Sequence, residues 1–301
     1  MLQTQRRETT SITKPAFLKN IMLATDFSDV ADRALEYAVS IARRFDSKLY
    51  VTHIIPPDSY AMVPPDPVIT APPLGEFRRR VMRNMEEMPR SGRLIGVSHQ
   101  TIVKEGVLWP AIEALIKEHN VDLLVLGTHG LGAVVKMLIG SVAEEIFRQA
   151  RIPVLTVGPA ARGEAFYEAE FRNILFATDF GLGAECEAAF AFALGQQNRS
   201  RLIFLHVVED TSKVLSDSER TTTKREMREL VPSGVPLLCK ISFEIAHGNP
   251  AEAILRIAEQ TNADLIVIGA KKDTGISGHV PRSTAYSVVC KAHSPVLTIR
   301  S

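Results

Sequence analysis

Three glycines and a serine are the residues best suited to chemistry: Gly127, Gly130, Gly140 and Ser141, with two residues and then nine between the glycines. Glycine carries no Cβ, so the backbone N–H groups around it can close on an anion. The stretch follows Val121 to Leu126, an apolar run with the length and branching of a buried parallel strand. It precedes Val142 to Arg148, which reads as a helix. The first turn of a helix offers unpaired N–H donors and the positive end of its dipole. Ser141 adds a hydroxyl at that point and is expected to serve as the N-cap. A strand, a glycine-bearing loop and a helix start are the parts from which phosphate sites are built. Each glycine alone is ordinary turn chemistry; their joint placement with Ser141 points to a ligand. His129, inside the loop, is a further candidate contact.

A carboxylate belongs to the same argument. Ala24, Thr25 and Asp26 stand at the carboxyl end of the strand from Ile21 to Ala24. Ligands of open parallel sheets sit outside the carboxyl ends of the strands, where strand order reverses. If the first and fourth strands flank that point, Asp26 and the glycine loop face one crevice, and Asp26 could bind a ribose hydroxyl or a base N–H. The alternative for Asp26 is an N-cap of the helix that follows.

These residues are carried by a unit written twice. Asn20 to Phe27 returns as Asn173 to Phe180, and Lys48 to Ile54 as Arg201 to Val207, at an offset of 153 positions. Asn120 to Gly127 returns as Asn262 to Gly269, and Pro153 to Val157 as Pro295 to Ile299, at 142. The first copy therefore holds about eleven extra residues in its middle, as surface loops allow. The expected division is a tail over 1–19, a domain over 20–160, a linker over 161–170 and a second domain over 171–301.

In the first copy a strand to Ala24 leads to a helix from about Ser28 to Phe45, with Ala31, Ala34, Leu35, Ala38, Val39 and Ala42 on one face. A strand from Lys48 to Ile55, a polar helix from about Gly75 to Arg90, a strand from Ser98 to Val103 and a helix from Pro110 to His119 come next. The fourth strand, the helix to Gln149 and a strand from Pro153 to Val157 complete it. Strands alternating with helices imply a parallel sheet covered on both faces, the doubly wound α/β class. Between Pro56 and Pro73, seven prolines make an irregular segment, either a cover for the ligand or a tolerated surface excursion. His53 and His206 recur at one place in the second strand and read first as hydrogen-bonded core histidines.

The totals narrow the function classes. A net charge of +1 gives no electrostatic footprint for nucleic acid or anionic membrane. No run of eighteen apolar residues suggests a membrane span, and the first ten residues do not read as a secretory signal. Cys186, Cys239 and Cys290 have no ligand spacing and fit free thiols in a reducing cytoplasm, and the eight histidines form no metal pattern.

With these residues in hand, the chain resembles the universal stress protein family along nearly its whole length, as a tandem pair. The family's nucleotide-binding members carry Gly-x2-Gly-x9-Gly-Ser/Thr after the fourth strand, matched by Gly127, Gly130, Gly140 and Ser141. Its opening Ile-Leu-x-x-Thr-Asp-Phe-Ser is matched from Ile21 to Ser28 apart from Met22, and its strand ending in His-Val/Ile by His53 and Ile54. The resemblance implies a Rossmann-like fold of the adenine nucleotide alpha hydrolase type and ATP, with Mg²⁺ as its companion. Ala24, Thr25, Asp26 and Ile54 would surround adenine and ribose. Leu126 and Gly127 would line the ribose side, while Gly130, Gly140, Ser141 and Val142 would face the triphosphate. Lys136 matches a place often basic in relatives; Leu131 departs from another. The closing strands of the two copies would pair with each other, and a homodimer stays open. The second copy puts Lys272 and Arg282 where Gly130 and Gly140 stand, keeping only Gly269 and Ser283. The first copy is therefore expected to hold the nucleotide and the second to be empty or to bind something weaker.

Three functions follow for the structure to weigh. The first is a cytoplasmic, ATP-binding, non-enzymatic stress-response protein. The second is a slow ATPase, although no Gly-x4-Gly-Lys-Ser/Thr, kinase set or nucleophile beside a base is present. The third is a structural pseudo-dimer whose glycine loop is vestigial.

Overall fold

A computed structural model describes residues 18–57, 74–128, 140–161, 170–210, 215–270 and 283–300. In the first copy the elements run β1 (Asn20–Ala24), α1 (Asp29–Phe45), β2 (Lys48–Ile55), α2 (Leu74–Arg90), β3 (His99–Glu105), α3 (Leu108–Glu118), β4 (Leu123–Gly127), α4 (Ser141–Gln149) and β5 (Val154–Val157). The second repeats them as β6 (Asn173–Thr178), α5 (Ala184–Asn198), β7 (Arg201–Val208), α6 (Asp217–Glu229), β8 (Lys240–His247), α7 (Pro250–Gln260), β9 (Leu265–Gly269), α8 (Thr284–Lys291) and β10 (Val296–Ile299).

Ten strands form one sheet in the order β3-β2-β1-β4-β5-β10-β9-β6-β7-β8. Pleating sends alternate residues of each strand to opposite faces. Ile21, Leu23, Leu49, Val51, Leu123 and Val125 turn to the face covered by α1 and α2. Met22, Tyr50, Leu124 and Leu126 turn to the face of α3 and α4. Both faces are apolar because both are covered, which is why β4 reads as an unbroken hydrophobic run. The face of α1 expected from its periodicity is buried throughout, from Ala31 to Ala42.

The same small devices tie down both copies. Asp122 Oδ2 accepts from the N–H of Asn20 at 2.9 Å, and Asp264 Oδ2 from that of Asn173 at 2.8 Å. Ser47 Oγ donates to the Leu18 carbonyl and Ser200 Oγ to that of Phe171. Each device fastens the start of a copy's first strand, and its recurrence shows that the duplication extends to polar anchoring as well as to the core.

The pairing is parallel everywhere except at the centre, where β5 and β10 run antiparallel with Leu155 opposite Leu297. Thr156 Oγ1 donates to the Val296 carbonyl at 3.1 Å, and Thr298 Oγ1 to that of Val154 at 3.3 Å. This reciprocity is the pattern of a two-fold interface between identical subunits, here contained in one chain. Phe147 of α4 and Tyr286 of α8 meet edge to face at 5.9 Å across the same seam. Both terminal strands thereby lose their open edges.

Leu155 and Leu297 are almost fully buried, so either leucine changed to alanine is expected to cost about 2–5 kcal/mol in urea unfolding. Because they face each other directly, the double-mutant cycle should show a coupling of about 0.5–3 kcal/mol. Strict additivity would mean that the copies do not share this core.

Candidate functional site

The carboxyl ends of β1, β2 and β4 open into a cavity of about 700 Å³. β1 pairs with β2 on one side and β4 on the other, so the chain reverses direction across the sheet at β1 and β4. This is the switch point where parallel sheets hold ligands. Ala24, Thr25 and Asp26 reach the cavity from β1, Ile54 from β2, Leu126 and Gly127 from β4, and Gly140, Ser141 and Val142 from the start of α4. Nine of the ten residues singled out in the sequence thus share one space. The tenth, Gly130, lies outside the described residues, as do His129, Leu131, Lys136, Lys272, Arg282 and positions 58–73 of the proline-rich segment.

One expectation is corrected and one alternative is set aside. Ser141 is not the N-cap of α4: Gly140 is, in extended conformation, and no side chain caps it. With Ser141 inside the first turn, the N–H donors at the head of α4 receive no bond from the capping position. Asp26 is not the N-cap of α1 either. Ser28 is, its Oγ accepting from the N–H of Ala31 at 3.2 Å. Asp26 Oδ1 accepts from Ser28 N at 3.0 Å and from Ser28 Oγ at 2.6 Å, so the carboxylate fixes the capping serine while standing at the cavity wall.

Gly127 has a structural reason of its own. A Cβ there would lie 3.0 Å from Val30 Cγ1 and 3.2 Å from the backbone of Ala31, so the residue must be small for α1 to pack on β4. Next to it, the Thr128 carbonyl accepts from Gly140 N at 2.7 Å, bringing the head of α4 to the end of β4.

The sequence reading missed a wall. Phe77, Arg80, Val81 and Asn84 of α2 line the cavity, at the spacing that puts them on one helix face, and Leu108 and Ile112 line it from α3. A topological signal could have found them. A crossover between parallel strands leaves the carboxyl end of one and returns to the amino end of the next, so α2 and α3 must begin beside the ligand end.

His53 proves to be both core and wall. Its Nδ1 lies 2.7 Å from the Thr25 carbonyl, which can only accept, so Nδ1 carries the proton and Nε2 keeps a lone pair. Nε2 is buried with no hydrogen-bond partner, and the ring lines the cavity. Phe27 stacks on it at 4.9 Å, with a left-handed φ of 62°. That turn recurs at Phe180, with φ 58°, beside His206, so it belongs to the fold and not to one site.

What differs between the copies separates site from scaffold. In the second, Ser283 is the N-cap of α8 and its Oγ accepts from Tyr286 N at 3.2 Å, committing the hydroxyl that Ser141 leaves inside the helix. At the 153-residue offset, Val30 and Ala34 become Gly183 and Glu187. The buried Glu187 side chain fills the space beside Gly269, where a Cβ would overlap its carboxylate. The second crevice thus presents a carboxylate beside the strand that corresponds to β4.

Burial holds the His53 imidazole below its ordinary value of 6.5, outweighing the raising effects of the Thr25 hydrogen bond and the Asp26 charge. As pH falls, the unfolded chain takes up this proton before the folded one does. The associated stability is therefore complete above about pH 6.5 and is lost as pH falls from there toward the folded-state value. An NMR titration of the His53 ring should place its midpoint below 6.5; a midpoint at or above that value would contradict the burial account.

The universal stress protein family profile matches residues 18–158 and again 170–300. A universal stress protein of Mycolicibacterium smegmatis is 24% identical, over 93% of this chain and 96% of the relative. One of Methanocaldococcus jannaschii is 30% identical over 141 residues, which are 46% of this chain and 81% of the relative. Among solved structures, a universal stress protein from Archaeoglobus fulgidus superposes with a TM-score of 0.68 at 20% identity, over 93% of this chain and 98% of that one. A putative universal stress protein from Pseudomonas aeruginosa gives 0.61 at 17% identity, over 94% and 93%. At such identities the structural likeness speaks for the fold, while the two profile matches span both copies: the chain belongs to the universal stress protein family, as a tandem member with two family domains.

Proposed function

We propose that the protein is a cytoplasmic, non-enzymatic universal stress protein that binds ATP in the first domain only. The observation that carries this reading is the convergence of Asp26, Ile54, Gly127 and the uncapped head of α4 on one cavity at the switch point. The parts suit a nucleotide triphosphate. Apolar side chains of Ile54, Leu108, Ile112 and Leu126 offer a surface for a base, and Asp26 offers an acceptor for hydroxyls. Gly140, Ser141 and Val142 bring N–H groups and the positive end of a helix to an anion. Among the described residues no group of three or more His, Cys, Asp or Glu comes together to hold a metal, so Mg²⁺ would travel with the phosphates. Among the described residues no helix is long and apolar enough to cross a membrane.

The second domain supports the one-site form of this reading. Ser283 commits its hydroxyl to the α8 cap, and the buried Glu187 carboxylate occupies the space beside Gly269, the counterpart of Gly127. Ligand that binds only the native state stabilises it by mass action, about 2.7 kcal/mol at a hundred times the dissociation constant. That linkage is a sufficient route from nucleotide level to the stability or assembly of the protein.

Equilibrium dialysis with ATP and Mg²⁺ should give one site per chain, accompanied by a rise in melting temperature. Gly140→Val, which puts a branched side chain at the head of α4, should abolish uptake and leave the unliganded melting temperature within a few degrees of the parent. Two equivalent sites would overturn the asymmetry. No binding and no thermal shift at millimolar ATP would leave the structural pseudo-dimer, and phosphate release above buffer that Asp26→Ala abolishes would establish the ATPase.

A further inference from the structure

We infer that the outer edge of β8 is an interface between two copies of this chain, paired antiparallel about a two-fold axis at Ser242. The inference does not depend on the nucleotide reading. β8 pairs with β7 on one side, and among the described residues no strand takes its other side. Lys240 N–H donates to the Ser200 carbonyl at 2.9 Å and Gly248 N–H to that of Val208 at 3.0 Å. The even-numbered residues of β8 therefore turn their backbone groups to β7, while Ile241, Phe243 and Ile245 turn theirs outward. Such a row of open donors and acceptors is a template for another strand. The chain already covers two edges in this way, where β5 and β10 pair antiparallel.

Parity and charge fix the register. Outward-facing residues of one strand must meet outward-facing residues of the other, so the axis of a symmetric antiparallel pair passes through a residue. At Ser242 it sets Ile241 opposite the partner's Phe243 and Lys240 opposite the partner's Glu244, each contact made twice. An axis at Ile241 or Phe243 leaves both charges opposite uncharged residues, and one at Lys240 or Glu244 sets like against like. Lys240 and Glu244 are exposed on one face of β8, and their side chains make no hydrogen bond or ion pair with other described residues. Arg201, exposed on β7 and in register with Lys240, puts a like charge beside it that a carboxylate from the partner would offset. The outer edge of β3 differs: Gln100 is held by Lys48 at 3.1 Å and Glu105 by Arg78 at 2.8 Å. Leu237 and Leu238, exposed just before β8, would come beside the partner's His247 and Ala246 in the same register and be covered there. Gln196 Oε1 holds the Cys239 N–H at 3.0 Å, which centres the new ladder on Ile241 and Phe243.

The test is sedimentation velocity on the full chain, and the parent should form a dimer at high micromolar concentration. Lys240→Glu and Glu244→Lys should each weaken dimerisation by a factor on the order of tenfold or more, because two like-charge contacts replace two opposite ones. An equimolar mixture of the two variants should regain the parent's affinity, since the register then sets glutamate against lysine at both places. Hydrogen exchange on the parent gives a readout that needs no variant: the amides of Ile241 and Phe243 should become protected as concentration rises. A monomeric parent, a dimer that neither variant weakens, a mixture that stays monomeric, or Ile241 and Phe243 amides whose exchange ignores dimerisation would overturn the inference. Assemblies that grow beyond the dimer would overturn it too, because they would put β8 against the β3 edge of the next copy.

Discussion

Everything about this site depends on β1 and β4 lying side by side. Ala24 pairs with Leu126, so the chain after each strand emerges at the same height and must turn away in opposite directions across the sheet. α1 packs on one face and α4 on the other. The gap between those departures is not filled by either helix, and backbone N–H groups at the head of α4 border it. A parallel sheet creates such a gap wherever its strand order reverses, whatever the side chains are. Side chains decide only what the gap will accept.

The second domain shows how few side chains that decision takes. Its strand order, its terminal aspartate anchors and its histidine bonded to the end of the first strand, His206 to the Thr178 carbonyl at 3.0 Å, all repeat those of the first. At the crevice the two copies differ in a few side chains. A valine lost at Gly183 leaves room on α5, and Glu187 one turn later grows into it. The exchange preserves packing beside the strand while replacing apolar contact with a carboxylate. Such a change is compatible with retention of the fold because the apolar core is built from the strands and the helix faces packed on them.

Much of this was legible in the sequence, for identifiable reasons. The apolar runs of the strands, which follow from burial on both faces, and the spacing of apolar residues in α1 place the elements within a few residues. The internal repeat fixed the architecture because long-range pairing, which a single copy does not announce, appears twice. The caps were misread because Ser141 and Gly140 are both good capping residues, and only backbone conformation chooses between them. The packing reason for Gly127 was not legible beside its turn and ligand readings, since the closeness of Val30 leaves no trace in local sequence. α2 reads as a polar helix because Arg and Glu recur along it. Its cavity face, Phe77 to Asn84, is a face only once the crossover sets where the helix begins.

Fusion of the copies changes what one ligand can do. In a dimer of separate chains, the contact between terminal strands depends on concentration, and a ligand that stabilises one subunit also shifts assembly. Here Leu155 meets Leu297 within one chain, so the seam forms at an effective concentration set by the linker and not by the amount of protein. β5 is also the neighbour of β4, whose end carries Gly127, with Leu126 opposite Thr156 and Thr156 bonded to Val296 of β10. A ligand gripping the end of β4 therefore adds stability to a strand one step removed from the second domain. On the proposed reading, binding at the first site would not be matched by an equal event in the second, whose counterpart of Gly127 packs against the Glu187 carboxylate. On that reading the tandem chain would respond to nucleotide as a single-site device while retaining the buried seam of a dimer.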